Sequence, residues 1–365
     1  MATSALVASG CSWKNRLPLI AFCVCATAAS AAAQERRWEV EGYGGLVAAR
    51  TAGEGTRSLP AAGAPIVTSN PIFPSREVPS WFFGDGATLL NGVNAEFGKA
   101  GRITPLDAGF APLDSRRAAS VGVRVRRRIS DRFSAEIGVD AFTRPEDTSS
   151  GLDAAVEAAR DSFRTALADL LATGPFSAVV IDATGTAATE TRRRETAATL
   201  ALNARFPPWG AVVPYLTFGG GVLTGSGSLP AAALQGRYRF SIVGEVPIDE
   251  TDRVSLRYTR GASFVAVLGA GLERDVSDRW GFRIDGRMLL GPDSTRLVID
   301  ATPSSARSGP SGFIESFTNP AIQFSNDSST GRHSTLSAAA LQGFEVFSGG
   351  LQTRTLLTVG VFRRF

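Results

Sequence analysis

Residues Phe133 to Ala141 run Phe-Ser-Ala-Glu-Ile-Gly-Val-Asp-Ala, an unbroken alternation of apolar side chains with polar or small ones. Neighbouring side chains of a strand point to opposite faces. The pattern therefore puts Phe133, Ala135, Ile137, Val139 and Ala141 on one face and Ser134, Glu136, Gly138 and Asp140 on the other. The period recurs along the chain. Val121, Val123 and Val125 alternate with Gly122, Arg124 and Arg126, and Trp280, Phe282, Ile284 and Met288 with Gly281, Arg283, Asp285 and Arg287. Leu357, Val359 and Val361 alternate with Thr358, Gly360 and Phe362 in the same way. Charged residues make up 20% of the chain, a value ordinary for a soluble protein. After residue 33 no apolar run is long enough to cross a bilayer as a helix. In a membrane such a chain can only close into a barrel, because lipid leaves an open sheet edge unpaired.

The first 33 residues have the three parts of a secretory signal peptide. Lys14 and Arg16 supply the positive region, Leu17 to Thr27 the short apolar region, and Ala31-Ala32-Ala33 the small residues before a cleavage site. Cys11, Cys23 and Cys25 all fall within this leader. The remaining chain, 34–365, is then without cysteine, which removes disulfides, thiolate nucleophiles and thiolate metal sites. The formal charge of +4 includes Lys14 and Arg16; without these two, the 38 basic residues become 36 against 34 acidic ones. Nucleic-acid binding is not indicated. With His333 the only histidine, neither a metal site nor a cofactor is expected.

The connections alternate between short and very long. Short turns are expected at 129–132, 206–210 and 276–279, and long outer loops at about 50–117, 144–192, 226–262 and 291–350. Compact soluble domains seldom carry several structureless loops of that length. Transmembrane barrels do, with short turns at one end and long loops at the other. Charges on the polar face would then point into the lumen: Glu39 and Glu41, Arg124, Arg126 and Arg128, Glu136 and Asp140, and Arg283, Asp285 and Arg287. Acid would meet base on neighbouring strands, since unpaired ions there would cost too much.

Particular segments carry a family resemblance. Val359-Gly-Val-Phe-Arg-Arg-Phe365 resembles the C-terminal signature of bacterial outer-membrane proteins, with Leu357, Val359, Val361 and the terminal Phe365 as the residues an assembly machinery reads. Arg363 stands at an outward position that the family keeps apolar, where a long side chain can snorkel to the interface. Trp38-Glu-Val-Glu-Gly-Tyr-Gly-Gly45 resembles the family's first strand. Pro214-Tyr-Leu-Thr-Phe-Gly-Gly-Gly221 and Val276-Ser-Asp-Arg-Trp-Gly281 resemble a middle strand and a periplasmic turn. Together these resemble the OmpA-like and opacity-protein class of small barrels. The resemblance implies the cell outer membrane as location, with outer-membrane lipid and lipopolysaccharide around the barrel and the barrel-assembly machinery as a partner during biogenesis. An extracellular partner would be met by the loops.

The fold expected is all-β, a transmembrane antiparallel up-and-down barrel. Two strand counts fit. Eight strands would run at about 38–48, 118–129, 132–143, 194–206, 212–224, 263–275, 279–290 and 352–365, and the resemblance favours this count. Ten result if Arg237 to Val246 and Arg253 to Thr259 insert as a further hairpin. Asp249-Glu-Thr-Asp-Arg253 resembles the other Asp-Arg turns and would link them. In the second loop, Leu152, Val156, Ala159, Phe163, Leu167 and Leu170 recur at helical spacing before Gly174-Pro175, which predicts a short helix packed over the barrel mouth. In the first, Trp81, Phe82 and Phe83 are expected to fold into a small core. Gly219 to Gly221 lie within a strand and suit close packing rather than a phosphate loop.

No catalytic constellation stands out. His333 beside Ser334, with Asp327 and Ser328 upstream, makes no triad by adjacency, because that geometry must come from the fold. The expected role is structural or surface-interacting and not enzymatic. A narrow channel is the first alternative and an enzyme centred on His333 the second.

Overall fold

The computed structural model describes residues 38–52, 56–57, 77–106, 117–147, 149–172, 174, 176–188, 190–242, 247–305, 321–324, 334–336, 341–348 and 350–365. The proposed leader and His333, Asp327 and Ser328 lie outside them.

Eight long strands form a closed antiparallel barrel. They are β1 (Trp38–Ala52), β3 (Ala118–Arg128), β4 (Phe133–Asp147), β6 (Glu190–Arg205), β7 (Val213–Gly227), β10 (Ser263–Asp275), β11 (Trp280–Pro292) and β15 (Leu351–Arg364). Their order around the wall is β1-β15-β11-β10-β7-β6-β4-β3, and β1 pairs with both β15 and β3, which leaves no edge. The period-two pattern decides the faces. Outward positions such as Leu46, Val121, Ile137, Leu200, Leu268, Ile284 and Leu357 are exposed, while Glu41, Arg124, Glu136 and Arg283 are buried within. Trp38, Phe133, Phe206, Trp209, Trp280 and Phe365 gather at the short-turn end and stay exposed, as an interfacial aromatic girdle does.

Two of the short turns share one design. Ile129-Ser-Asp-Arg-Phe133 and Val276-Ser-Asp-Arg-Trp280 each close with a backbone bond of 2.9 Å from the first residue's N–H to the last residue's carbonyl. In each, the second-position serine hydroxyl accepts the N–H of the last residue, at 3.2 Å for Phe133 and 3.1 Å for Trp280. Arg363 does point outward. Its guanidinium lies 5.5 Å from the Trp280 ring and 4.9 Å from the Phe365 ring, so the girdle itself accommodates the charge.

The long connections are not structureless. They hold strands β2 (Thr56–Arg57), β5 (Phe176–Ala188), β8 (Ala231–Ile242), β9 (Ile248–Arg260), β12 (Thr295–Ala301), β13 (Ser304–Ser305) and β14 (Leu341–Ser348), with helices α1 (Gly84–Glu96) and α2 (Ser149–Leu171). The strands form a second sheet in the order β2-β14-β12-β9-β8-β5, with β13 on β9. One core joins all of it. Trp81, Phe82 and Phe83 from the first connection, Phe163 and Leu167 from α2, Tyr238 and Phe240 from β8, and Ile322, Phe324 and Leu336 from the last are all buried together. Each such side chain contributes about 1.5–3 kcal/mol on burial, which is how segments that cannot fold singly make a common cap.

This arrangement corrects several expectations: Trp81, Phe82 and Phe83 join a core shared by all four long connections rather than a small core of their own loop. The hairpin around 237–259 adds no strands to the barrel: β8 and β9 are central strands of the cap sheet. Asp249 to Arg253 is not a turn either but part of β9. Its inward carboxylates have partners from distant segments, which a local window does not reveal. The barrel strands also rise further than expected, with β4 and β6 paired up to Asp147 and Glu190.

Helix α2 lies on the cap sheet with Leu152, Val156, Ala159, Phe163 and Leu167 buried. The Phe163 ring sits over the bare backbone of Gly236 on β8, where an added Cβ would lie 2.4 Å from its Cζ. The ring is stacked on Phe82 at 4.9 Å and has little room to retreat. Gly236→Ala is expected to destabilise the cap by about 1–3 kcal/mol through overpacking, read as a lowered midpoint of the near-ultraviolet circular dichroism transition. An unchanged midpoint would show that α2 is loosely seated.

Candidate functional site

Cross-strand register sets up the lower lumen. Glu41 lies opposite Arg124, Arg126 opposite both Glu39 and Glu136, and Glu273 opposite Arg283. Inward projection then brings in strands from the far wall. Arg283 alone holds three carboxylates, through Nη1 to Glu41 Oε2 at 2.7 Å and Nη2 to Glu39 Oε2 at 2.9 Å and Glu273 Oε2 at 2.6 Å. Glu136 accepts from Arg126 and from Arg287. Since β4 and β11 stand four places apart in the ring, the Arg287–Glu136 pair spans its diameter. Arg124 pairs with Asp285 and lies 3.7 Å from the centre of the Tyr43 ring, whose hydroxyl donates to Asp140. Tyr215 donates to Asp285 from the other side. Arg128 is at the half-open mouth, 3.7 Å from Glu39.

Each residue expected in the lumen is found there, but several others of equal weight were not anticipated. Glu273, Arg205 and Arg364 complete the mouth, with Glu273 Oε1 accepting from both arginines at 2.6 Å. Extending the alternation down strands β6, β10 and β15 would have found them. The two tyrosines had no such signal, because they depend on glycines in adjacent strands. Tyr43 faces Gly122, where an added Cβ would meet its hydroxyl at 2.1 Å, and Tyr215 faces Gly271, where it would meet the ring at 2.4 Å. Gly219 and Gly221 likewise lie against the β6 backbone, with Cβ positions 2.1 and 2.3 Å from carbonyl oxygens.

Above the charges the lumen turns apolar. Val47, Ala118, Phe142, Ala197, Leu223, Val265, Val267, Leu289 and Leu356 point inward from all eight strands and form one buried cluster. A second polar level follows. Arg354 on β15 donates to both oxygens of Glu195 on β6, at 3.0 and 3.2 Å, again across the full diameter. Arg260, at the end of β9, lies 2.8 Å from Glu195 and 3.1 Å from Asp293, so the cap is tied to the barrel at a neck.

The cap has a buried polar cluster of its own. Asp252 Oδ2 accepts the Trp81 N–H at 2.6 Å and the Ser80 hydroxyl at 2.8 Å. Glu250 accepts from Tyr238 and Ser334. Burial pushes the Asp252 carboxyl up to about 7, against the lowering effect of those two donors. Burial and the Glu250 charge push the Tyr238 phenol well above its ordinary range. Both serines are fully buried, and these carboxylates staple the first and last connections onto β9.

Apolar outside, charged and plugged inside, and closed without an edge, the fold is that of a transmembrane β-barrel of the outer-membrane type, carrying a folded cap. No protein-family model matches the chain, and no curated protein matches it. Among solved structures it is similar to the outer membrane protein OprG from Pseudomonas aeruginosa, at 11% identity and a TM-score of 0.37, over 90% of this chain and 96% of that one. The P. putida toluene transporter TodX is more remote, at 8% identity and a TM-score of 0.18 over 91% of each chain. Likenesses this low define neither a family nor an activity.

Proposed function

We propose that the chain is an exported outer-membrane protein whose barrel anchors and displays the cap, with a structural or surface-interacting role and no catalytic one. The observation that carries this reading is the apolar layer, seated between two polar levels that each span the lumen. An ion crossing it would be stripped of water among valine, leucine and phenylalanine side chains, at a cost far above thermal energy. The cap then adds a separate folded body above the neck. The finer assignments belong to the same proposal: an OmpA-like small barrel, a leader removed after Ala33, short turns in the periplasm and the cap outside. Lipid and lipopolysaccharide would surround the wall, and the assembly machinery would read Leu357, Val359, Val361 and Phe365. An external partner would meet the cap.

The test is conductance of the purified, heat-modifiable protein in a planar bilayer. The expected trace is flat. Regular single-channel steps that change on replacing Arg124 or Arg283 would establish the narrow-channel alternative instead.

A further inference from the structure

The outer wall has an interruption near its short-turn end. On the rung crossing β7, β10, β11 and β15, the lipid-side residues run Leu216, Ala270, Gly286, Leu357. Two small residues between two leucines open a groove of about 630 Å³, walled by Phe206, Trp209, Leu216, Leu272 and Ile284. That volume is in the ordinary range for a small-molecule site. The fold does not impose the gap, because a Cβ at Gly286 would find its nearest neighbour at 3.9 Å.

The next outward residue down β10 after Leu272 is Arg274, paired across the ladder with Phe282. It lies one outward step beyond the Leu272–Ile284 wall of the groove, toward the girdle. The other outward arginines on the barrel strands at this end are engaged: Arg127 lies over Trp38, and Arg363 over Trp280 and Phe365. The Arg274 side chain has no hydrogen bond, ion pair or ring contact among the described residues. An apolar slot with a free guanidinium at its interfacial end matches a molecule with a hydrocarbon tail and an anionic head.

We infer that this groove seats an acyl chain of one glycerophospholipid, with the lipid phosphate held by Arg274. The inference rests on the membrane reading above, which makes hydrocarbon the solvent of this wall. In that solvent no apolar driving force favours the slot; dispersion contacts with its walls and the charge-assisted bonds at its mouth favour one lipid over its neighbours.

The test is native mass spectrometry of the full chain released from nanodiscs of phosphatidylethanolamine and phosphatidylglycerol. About one lipid retained per barrel is expected. Ala270→Leu, which fills the slot, should cut retention about tenfold, and Arg274→Gln about fivefold, the worth of one arginine near a charged surface. Val123→Leu adds bulk on the diametrically opposite β3 and should change nothing. Each protein is first checked for its gel shift on boiling. A shifted, folded barrel that retains no lipid, or retains it equally in all variants, overturns the lipid seat alone. A chain with no shift overturns the barrel reading and the seat with it. Arg274 is exposed on the wall, so its variant tests the seat even if the Ala270 variant does not fold.

Discussion

Glu136→Ala should lower the unfolding free energy of the barrel by about 3–5 kcal/mol, the cost of leaving buried charges without their partner. Glu136 is 1% exposed and serves Arg126, Arg287 and Asn203. The nearest remaining carboxylates are further away, with Glu273 at 4.0 Å from Arg126 and Asp285 at 3.6 Å from Arg287. Two guanidiniums would thus stay in a closed lumen with weakened compensation. The exposed Arg296–Glu345 pair, at 2.7 Å, is a fair comparison. It lies in water, so Glu345→Ala should cost no more than about 1 kcal/mol. Urea titration in phospholipid vesicles measures both, the gel shift following the barrel and the near-ultraviolet signal the cap. A Glu136 effect no larger than the Glu345 effect would mean that water reaches the lower lumen and screens it.

Raising the pH from 5 to 8 should weaken the cap, and Asp252→Asn should abolish most of that dependence. Asp252 rises from an ordinary 3.8 to about 7 in the folded cap. Its burial therefore favours the protonated form. Relative to the unfolded chain, this stability is fully present below about pH 4 and is lost as the pH climbs through 7. The whole change amounts to about 4 kcal/mol, of which about 3 kcal/mol falls between pH 5 and 8. Asparagine keeps an oxygen for the Trp81 N–H and the Ser80 hydroxyl but carries no charge, so it mimics the protonated carboxyl. Urea midpoints from the near-ultraviolet signal of the cap aromatics would be compared at the two pH values. Equal slopes for wild type and variant would assign any pH dependence to other groups.

Much of the barrel was legible because a strand's period of two is a local property. Phe133 to Ala141 shows both faces within nine residues, and the lumen charges follow from the same parity. Arg363 was correctly placed outward, though only the structure shows the Trp280 and Phe365 rings that receive it. The turn expected at Asp249 to Arg253 failed because its likeness to the other Asp-Arg turns is a local signal, while the partners of its carboxylates are distant. Ser80, Trp81, Tyr238 and Ser334, which supply those partners, lie as far as 172 positions away. The cap as a whole was missed for the same reason. The four long connections share one core around Trp81, Phe163 and Phe240, whose members lie far apart in the sequence.

By itself, then, the amino-acid sequence determined the strand faces, the short turns and the apolar stripe of α2, since each depends on residues a few positions apart. Tertiary structure decided between the favoured eight strands and ten, and alone decided the diametric Arg287–Glu136 and Arg354–Glu195 pairs, the apolar plug between them and the cap. These are contacts between segments that only closure of the sheet brings face to face, and a one-dimensional pattern has no term for distance across a lumen.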